Sequence, residues 1–100
     1  MKLGLLINSD RHLEHVIGVT RAATDQGHEV IIFSMDDGTR LMGYTEFTEL
    51  CLLEGVTMSF CRHSAEEAGV ETGALSREIV SGSQFNNALM SHEADRVLVF

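Results

Sequence analysis

The order of apolar and polar residues predicts alternating strands and helices in the first part of the chain. Residues 2 to 8 form a nearly continuous apolar run, which is typical of a strand buried on both faces. From residue 11 to residue 26, apolar or small side chains recur at helical spacing, and Gly27 follows where a helix-ending glycine belongs. A second β-branched, apolar run covers residues 29 to 35. The pattern so far predicts strand, helix, strand.

The same alternation continues to residue 100. The further predicted elements are a helix over 41–54 that ends at Gly55, a strand over 56–60, a short helix over 65–68, a short strand over 78–80, a helix carrying Phe85, Ala88, Leu89 and His92, and a strand over 96–100. Strands joined by such short helical segments run parallel and are connected by right-handed crossovers. We therefore expect one α/β domain over residues 1–100: an open, mostly parallel sheet of four to five strands with helices on both faces, a three-layer flavodoxin-like or Rossmann-like fold.

Charge and composition exclude several classes of function. Fifteen acidic residues stand against seven basic ones, a net charge of -8, and the basic residues are scattered, so direct binding to nucleic acid or to an anionic membrane is not expected. No apolar run approaches the roughly 18 residues of a membrane span. The apolar start is interpreted as a strand and not a signal peptide, which points to the cytoplasm. Proline is absent, so a fold that depends on a cis-proline, such as the thioredoxin fold, is disfavoured.

In a parallel sheet the functional residues gather at the carboxyl ends of the strands. The loops that follow the predicted strands are Asn8 to Asp10, Asp36 to Gly38, Cys61 to Ser64 and Ser81 to Ser83. Only the third holds a strong nucleophile, Cys61. Because a thiol at a helix N-terminus faces unpaired N–H groups, its thiolate is favoured there, and Arg62 and His63 add positive charge nearby. The alternative is that Cys61 is a small, inert, buried side chain.

Other candidate chemistry is weaker. Cys51 lies on the apolar stripe of the predicted 41–54 helix and is expected to pack in the core; its spacing from Cys61 matches neither a C-x-x-C redox pair nor a zinc site. His12 and His15 are three residues apart but lack a third ligand, so we expect no metal. Asp36-Asp37 is expected to be a solvated turn. No glycine-rich phosphate cradle follows the first strand, so we expect no nucleotide or other cofactor.

Two segments carry a resemblance to a known family. Residues 55 to 70 comprise a helix-ending glycine, a short strand, Cys61 and a small helix that ends in Gly-Val. That segment resembles the cysteine region of the DsrE/DsrF-like sulfur-relay family, which includes TusD-like small sulfur carriers, and residues 83 to 100 are similar to its last helix and strand. The resemblance implies a cytoplasmic protein that forms trimers or hexamers and carries persulfide sulfur on Cys61 between protein donors and acceptors, in sulfur oxidation or tRNA thiolation.

Two hypotheses for function remain open at this stage. In the first, the chain is a sulfur carrier or sulfurtransferase subunit that acts through Cys61, with support from Arg62, His63 and a hydrogen bond from Ser64. In the second, it is a non-catalytic assembly or regulatory subunit of the same fold with an inert cysteine.

Self-association is expected for a further reason. The apolar residues of the predicted 41–54 region lie in a segment that is too short to bury them all alone. They are Leu41, Met42, Tyr44 and Phe47.

Overall fold

The computed structural model describes residues 1–100 and contains one five-stranded parallel sheet. Its strands are β1 (Lys2–Ile7), β2 (Glu29–Ser34), β3 (Val56–Cys61), β4 (Ile79–Gly82) and β5 (Arg96–Val99). They lie in the order β4-β3-β2-β1-β5, and every neighbouring pair is parallel. The predicted fold class, an open parallel sheet with helices on both faces, is confirmed.

The strands are connected by helical segments of unequal length. The α-helices are α1 (Leu13–Asp25), α2 (Thr45–Thr48), α3 (Arg62–Glu67) and α4 (Gln84–Glu93), and two 3₁₀ helices cover Asp36–Gly43 and Glu49–Leu52. Gly27 ends α1 with a φ of +82°, as the sequence predicts. None of these helices combines the length and apolar character needed to cross a membrane.

The single helix predicted over 41–54 is wrong. The chain instead forms a 3₁₀ helix, the four-residue α2 and a second 3₁₀ helix. In one continuous α-helix, Leu41 and Leu50 would point about 180° apart. Both side chains are fully buried in the same core, so the segment has to break between them. Gly38 adds a second constraint, because its backbone lies so close to the Ile7 carbonyl that a Cβ atom would overlap it.

The sheet separates two cores of unequal size. On one face a cluster of sixteen buried residues joins the sheet to α1, α2, α3 and the 3₁₀ segments. On the other face only α4 covers the strands, over a small core of Phe33, Cys61 and Met90. The strand order explains this: β1 to β4 advance in one direction and β5 returns to the far side of β1, so a right-handed crossover places α4 on the opposite face.

Most of the apolar residues from which self-association was predicted are buried in the core of this chain. Leu41, Met42 and Phe47 are buried within this chain, and only Tyr44 is exposed. That reason for oligomer formation is therefore wrong. The large apolar side chains that the fold leaves exposed lie mainly on β4, α4 and β5; they include Val80, Phe85, Leu89, Val97, Leu98 and Val99.

Candidate functional site at Cys61

Cys61 is the last residue of β3 and the N-cap of α3. Its register partner on β4 is Gly82, so the thiol stands where two parallel strands end together. The side chain points to the α4 face, between Phe33 and Met90, and the residue is 6% exposed. The nucleophile predicted from the sequence thus lies at a strand end, just below the surface.

Hydrogen-bond donors around the sulfur set its ionisation. Burial by itself raises the pKa of the Cys61 thiol, but four donors outweigh it and bring the pKa below its ordinary value. They are the hydroxyl and backbone N–H of Ser64, the side chain of Gln84 and the backbone N–H of His63. Two of the donors are backbone N–H groups in the first turn of α3, where such groups have no partner within the helix. The site therefore favours a thiolate.

The side chains of Arg62 and His63 do not support the thiol as the sequence-based hypothesis proposed. The Arg62 Nε atom lies 3.8 Å from Glu66 Oε1, and the His63 Nε2 atom lies 3.3 Å from Glu67 Oε1. Both side chains are exposed, and each pairs with a glutamate one turn further along α3. Of His63 only the backbone N–H lowers the pKa of the Cys61 thiol, whereas both the hydroxyl and the backbone N–H of Ser64 lower it.

A cleft of about 440 Å³ lies beside the site, between α3 and the first 3₁₀ helix. It is lined by Asp36, Asp37, Arg40, His63, Ser64, Glu67 and Ala68. Asp36 and Asp37 thus form one wall, at the start of a 3₁₀ helix and not in an isolated turn. Cys61 does not line this cleft, and three carboxylates in its walls disfavour an anionic ligand.

Two residues near the thiol, Gln84 and Met35, were not predicted from the sequence. Gln84 is the first residue of α4, and its Nε2 atom lies 3.7 Å from the sulfur of Met35, which follows β2 and packs against the Cys61 core. Ser83 caps this helix in a reciprocal capping box with Asn86. Placing β4 beside β3 would have been enough to bring Gln84 to Cys61.

Cys51 is a core residue, as its position on an apolar stripe predicted. It is buried in the large core, on the face of the sheet opposite to Cys61, so the two cysteines cannot pair within one chain. Burial raises the pKa of the Cys51 thiol, and the nearby Glu78 carboxylate adds to that rise. The two thiols of this chain therefore have opposite tendencies to ionise.

The histidine pair on α1 has no metal-binding geometry around it. The rings of His12 and His15 meet edge to face with centroids 5.8 Å apart, and His12 also packs near Phe100. No group of three or more His, Cys, Asp or Glu side chains is placed to hold a metal ion.

Comparison with known proteins adds information about the fold. No protein-family model matches the sequence, and no curated protein matches it. Among solved structures, the ychN protein from E. coli is similar over 100% of both chains, with a TM-score of 0.72 and 18% identity. The protein of unknown function MTH1491 from Methanobacterium thermoautotrophicum is similar over 99% of this chain and 98% of its own, with a TM-score of 0.76 and 14% identity. These likenesses show that the chain shares the fold of both proteins, and at these identities they show the fold alone.

Proposed function

We propose that this protein is a small sulfur carrier, a sulfurtransferase subunit that accepts and passes on persulfide sulfur at Cys61. The observation that carries the proposal is a thiol at a parallel strand end whose pKa is lowered by hydrogen-bond donors around it. The DsrE-like fold supports a sulfur-relay role. The route the sulfur serves, sulfur oxidation or tRNA thiolation, is set by its partners.

The relay consists of two thiol exchanges. In the first, the Cys61 thiolate attacks the outer sulfur of a donor persulfide; the donor's S–S bond breaks, a new S–S bond forms at Cys61, and the donor leaves as a thiolate. In the second, an acceptor thiolate attacks the outer sulfur on Cys61 and releases the Cys61 thiolate. The transferred atom stays at the sulfane oxidation level throughout, so neither step needs an external oxidant or reductant.

The lowered pKa of Cys61 serves both steps. It raises the fraction of attacking thiolate in the first exchange, and it makes Cys61 a better leaving group in the second. Access is the remaining requirement, because the residue is only 6% exposed. Phe33 and Met90 enclose the sulfur from within, whereas Gln84 is exposed and Met35 is partly so. An incoming persulfide therefore approaches past Gln84 and Met35.

Intact-mass measurement tests this function. The reduced protein is incubated with glutathione persulfide, and we expect wild type to gain one sulfur atom that a reductant removes. Cys61→Ser should gain none, while Cys51→Ser, the matched control in the opposite core, should gain sulfur like wild type. Equal uptake by Cys61→Ser, or no uptake by wild type, would contradict a carrier role.

The second candidate function is a non-catalytic assembly or regulatory subunit with an inert cysteine. The burial of Cys61 favours it, since a structural thiol needs no access. The pH dependence of alkylation separates the two functions. A carrier thiol titrates below the ordinary cysteine value of about 8.5, whereas an inert buried thiol labels slowly and titrates at or above about 8.5.

Both functions call for protein partners, and the fold offers a surface for a second copy of the chain. All four residues of the edge strand β5 are exposed, and three of them are Val or Leu. The only charged residue of the strand is Arg96, so two such strands meet without bringing carboxylates together despite the net charge of -8. We propose that β5 is one of the contacts between copies of the chain in a homo-oligomer, a trimer or hexamer, in the cytoplasm. Related subunits or other proteins serve as sulfur donor and acceptor.

A further inference from the structure

Gln84 occupies a distinctive place beside the thiol. It is exposed, it begins α4, and its side chain is one of the hydrogen-bond donors to Cys61. Both ends of its carboxamide are engaged: Nε2 lies 3.7 Å from the Met35 sulfur, and Oε1 accepts a hydrogen bond of 3.2 Å from Asn87 Nδ2. The amide therefore spans from the residue after β2 to the second turn of α4, next to the sulfur.

This closed arrangement is weakly held. A thioether is a poor hydrogen-bond acceptor, so the contact with Met35 contributes little. The Oδ1 atom of Asn87 is buried without a hydrogen-bond partner, so the Gln84–Asn87 pair leaves an acceptor unsatisfied. Gln84 itself is exposed, and its side chain has room to rotate outward. The carboxamide beside the thiol is therefore held by two weak contacts, and turning it outward costs little.

The position of an added sulfur atom gives the amide a second role. A persulfide extends the side chain by one S–S bond, about 2.05 Å. Phe33 and Met90 fill the inner side of the site, so the outer sulfur has to lie toward the rim where Gln84 stands. An anionic outer sulfur is a much better acceptor than a thioether, because hydrogen bonds to charged groups are roughly twice as strong as neutral ones.

We propose that Gln84 is both the gate of the Cys61 site and the hydrogen-bond donor that holds the outer sulfur of the loaded persulfide. In the empty protein the carboxamide covers the thiol and rests on Met35. On loading, Nε2 leaves the Met35 sulfur and donates to the outer sulfur. The role of Gln84 as a gate, the gating part of the proposal, needs only a reactive thiol. Its role as donor to the outer sulfur, the holding part, rests on the proposed sulfur-carrier function.

Two substitutions at Gln84 test its role as the gate, with Gln26, the only other glutamine of the chain, as a matched control. Gln26 is exposed at the end of α1, remote from Cys61. Iodoacetamide alkylation is followed against pH in Cys51→Ser backgrounds, so that only Cys61 reacts. Gln84→Ala should raise the high-pH plateau rate about fivefold by uncovering the thiolate. Gln84→Glu should move the midpoint up by about one pH unit, because a carboxylate replaces the donor. Gln26→Ala and Gln26→Glu should match the parent.

The holding part is tested on persulfide-loaded protein. After loading with glutathione persulfide and removal of excess donor, Gln84→Ala should lose the added sulfur several times faster than the parent and the Gln26→Ala control. Unchanged plateau and midpoint in the Gln84 variants would overturn the gate. Equal lifetimes of the loaded forms would overturn the holding role. If the parent takes up no sulfur, the holding role fails together with the carrier function, and the alkylation results still decide the gate.

Discussion

Cys61 and Gly82 are register partners on neighbouring parallel strands, and this pairing determines which helix begins beside the thiol. The chain turns into α4 directly after Gly82, through the N-cap Ser83. Gln84 is therefore brought to Cys61 although 23 positions separate them in the sequence. The thiol environment depends on a strand pair and a helix cap as much as on the residues next to Cys61.

A side chain at position 82 should disturb this arrangement. A Cβ atom on Gly82 would overlap the Asn86 carboxamide, which closes the capping box with Ser83. We expect Gly82→Ala to destabilise the protein by about 1 kcal/mol or more, as loss of a helix cap does. Chemical denaturation followed by circular dichroism measures this change.

Gly18→Ala is the control for Gly82→Ala. Gly18 lies within α1, and apart from its chain neighbours and the backbone of its own helix no atom lies within 4 Å of the place that an alanine methyl group would take. Alanine there should be neutral or stabilise the helix by up to about 1 kcal/mol. Equal effects of the two substitutions would contradict the role given to Gly82.

Ser64 should affect the thiol more than its charged neighbours do. Its hydroxyl and backbone N–H both favour the thiolate, so Ser64→Ala removes one donor and should raise the pKa of Cys61. A lost hydrogen bond of about 1 kcal/mol corresponds to roughly fivefold slower alkylation near neutral pH. The rate of iodoacetamide labelling against pH measures the change.

Arg62→Ala and His63→Ala serve as the comparison. Their side chains pair with Glu66 and Glu67 away from the thiol, so neither substitution should move the alkylation midpoint appreciably. Each removes one exposed i,i+4 pair, with a cost below about 0.5 kcal/mol in stability. A large upward shift in His63→Ala would restore the imidazole as a proton partner of Cys61.

The ionisation of Cys61 should make the stability of the protein depend on pH. Because the folded pKa lies below the unfolded value, its contribution is complete above the unfolded pKa of about 8.5 and is lost as pH falls through the folded pKa. The difference in unfolding free energy between wild type and Cys61→Ser should therefore grow with rising pH and level off near about 8.5. Urea titrations under reducing conditions measure it.

The ionisation of Cys51 should make the unfolding free energy depend on pH in the opposite direction. Burial raises its pKa, so its contribution is present below about 8.5 and is lost as pH rises through the folded pKa. The difference between wild type and Cys51→Ser should decline above about 8.5. Slopes of the same sign for the two cysteines would contradict the environments assigned to them.

The edge strand β5 should control self-association. Val99 is exposed on the α4 face of this strand, and a lysine there should prevent a second copy from pairing along the edge. We expect light scattering to give a multiple of 11.0 kDa for wild type and 11.0 kDa for Val99→Lys. Ala22→Lys, on the exposed side of α1, should leave the wild-type mass unchanged. A monomeric wild type would remove β5 as an interface.

The strands of this chain could be predicted from the sequence because their signal is local. A buried parallel strand has to be apolar on both faces, so 2–8, 29–35 and 56–60 stand out without knowledge of their neighbours. Gly27 and Ser83 likewise carry their own conformational reason for ending and starting helices. The structure of segment 41–54 could not be predicted in the same way. Leu41 and Leu50 are both buried in one core, whereas one continuous helix would point them in opposite directions.

The amino-acid sequence by itself determined the fold class, the strand end that carries Cys61 and the core role of Cys51, since each follows from local apolarity, glycine placement or helical spacing. Tertiary structure decided the surroundings of the thiol. No pattern in the neighbouring sequence indicates that the side chain of His63 pairs with Glu67, or that the pairing of β3 with β4 places Gln84 beside Cys61. Such contacts depend on strand order and crossover hand, which bring distant residues together only when the sheet is assembled.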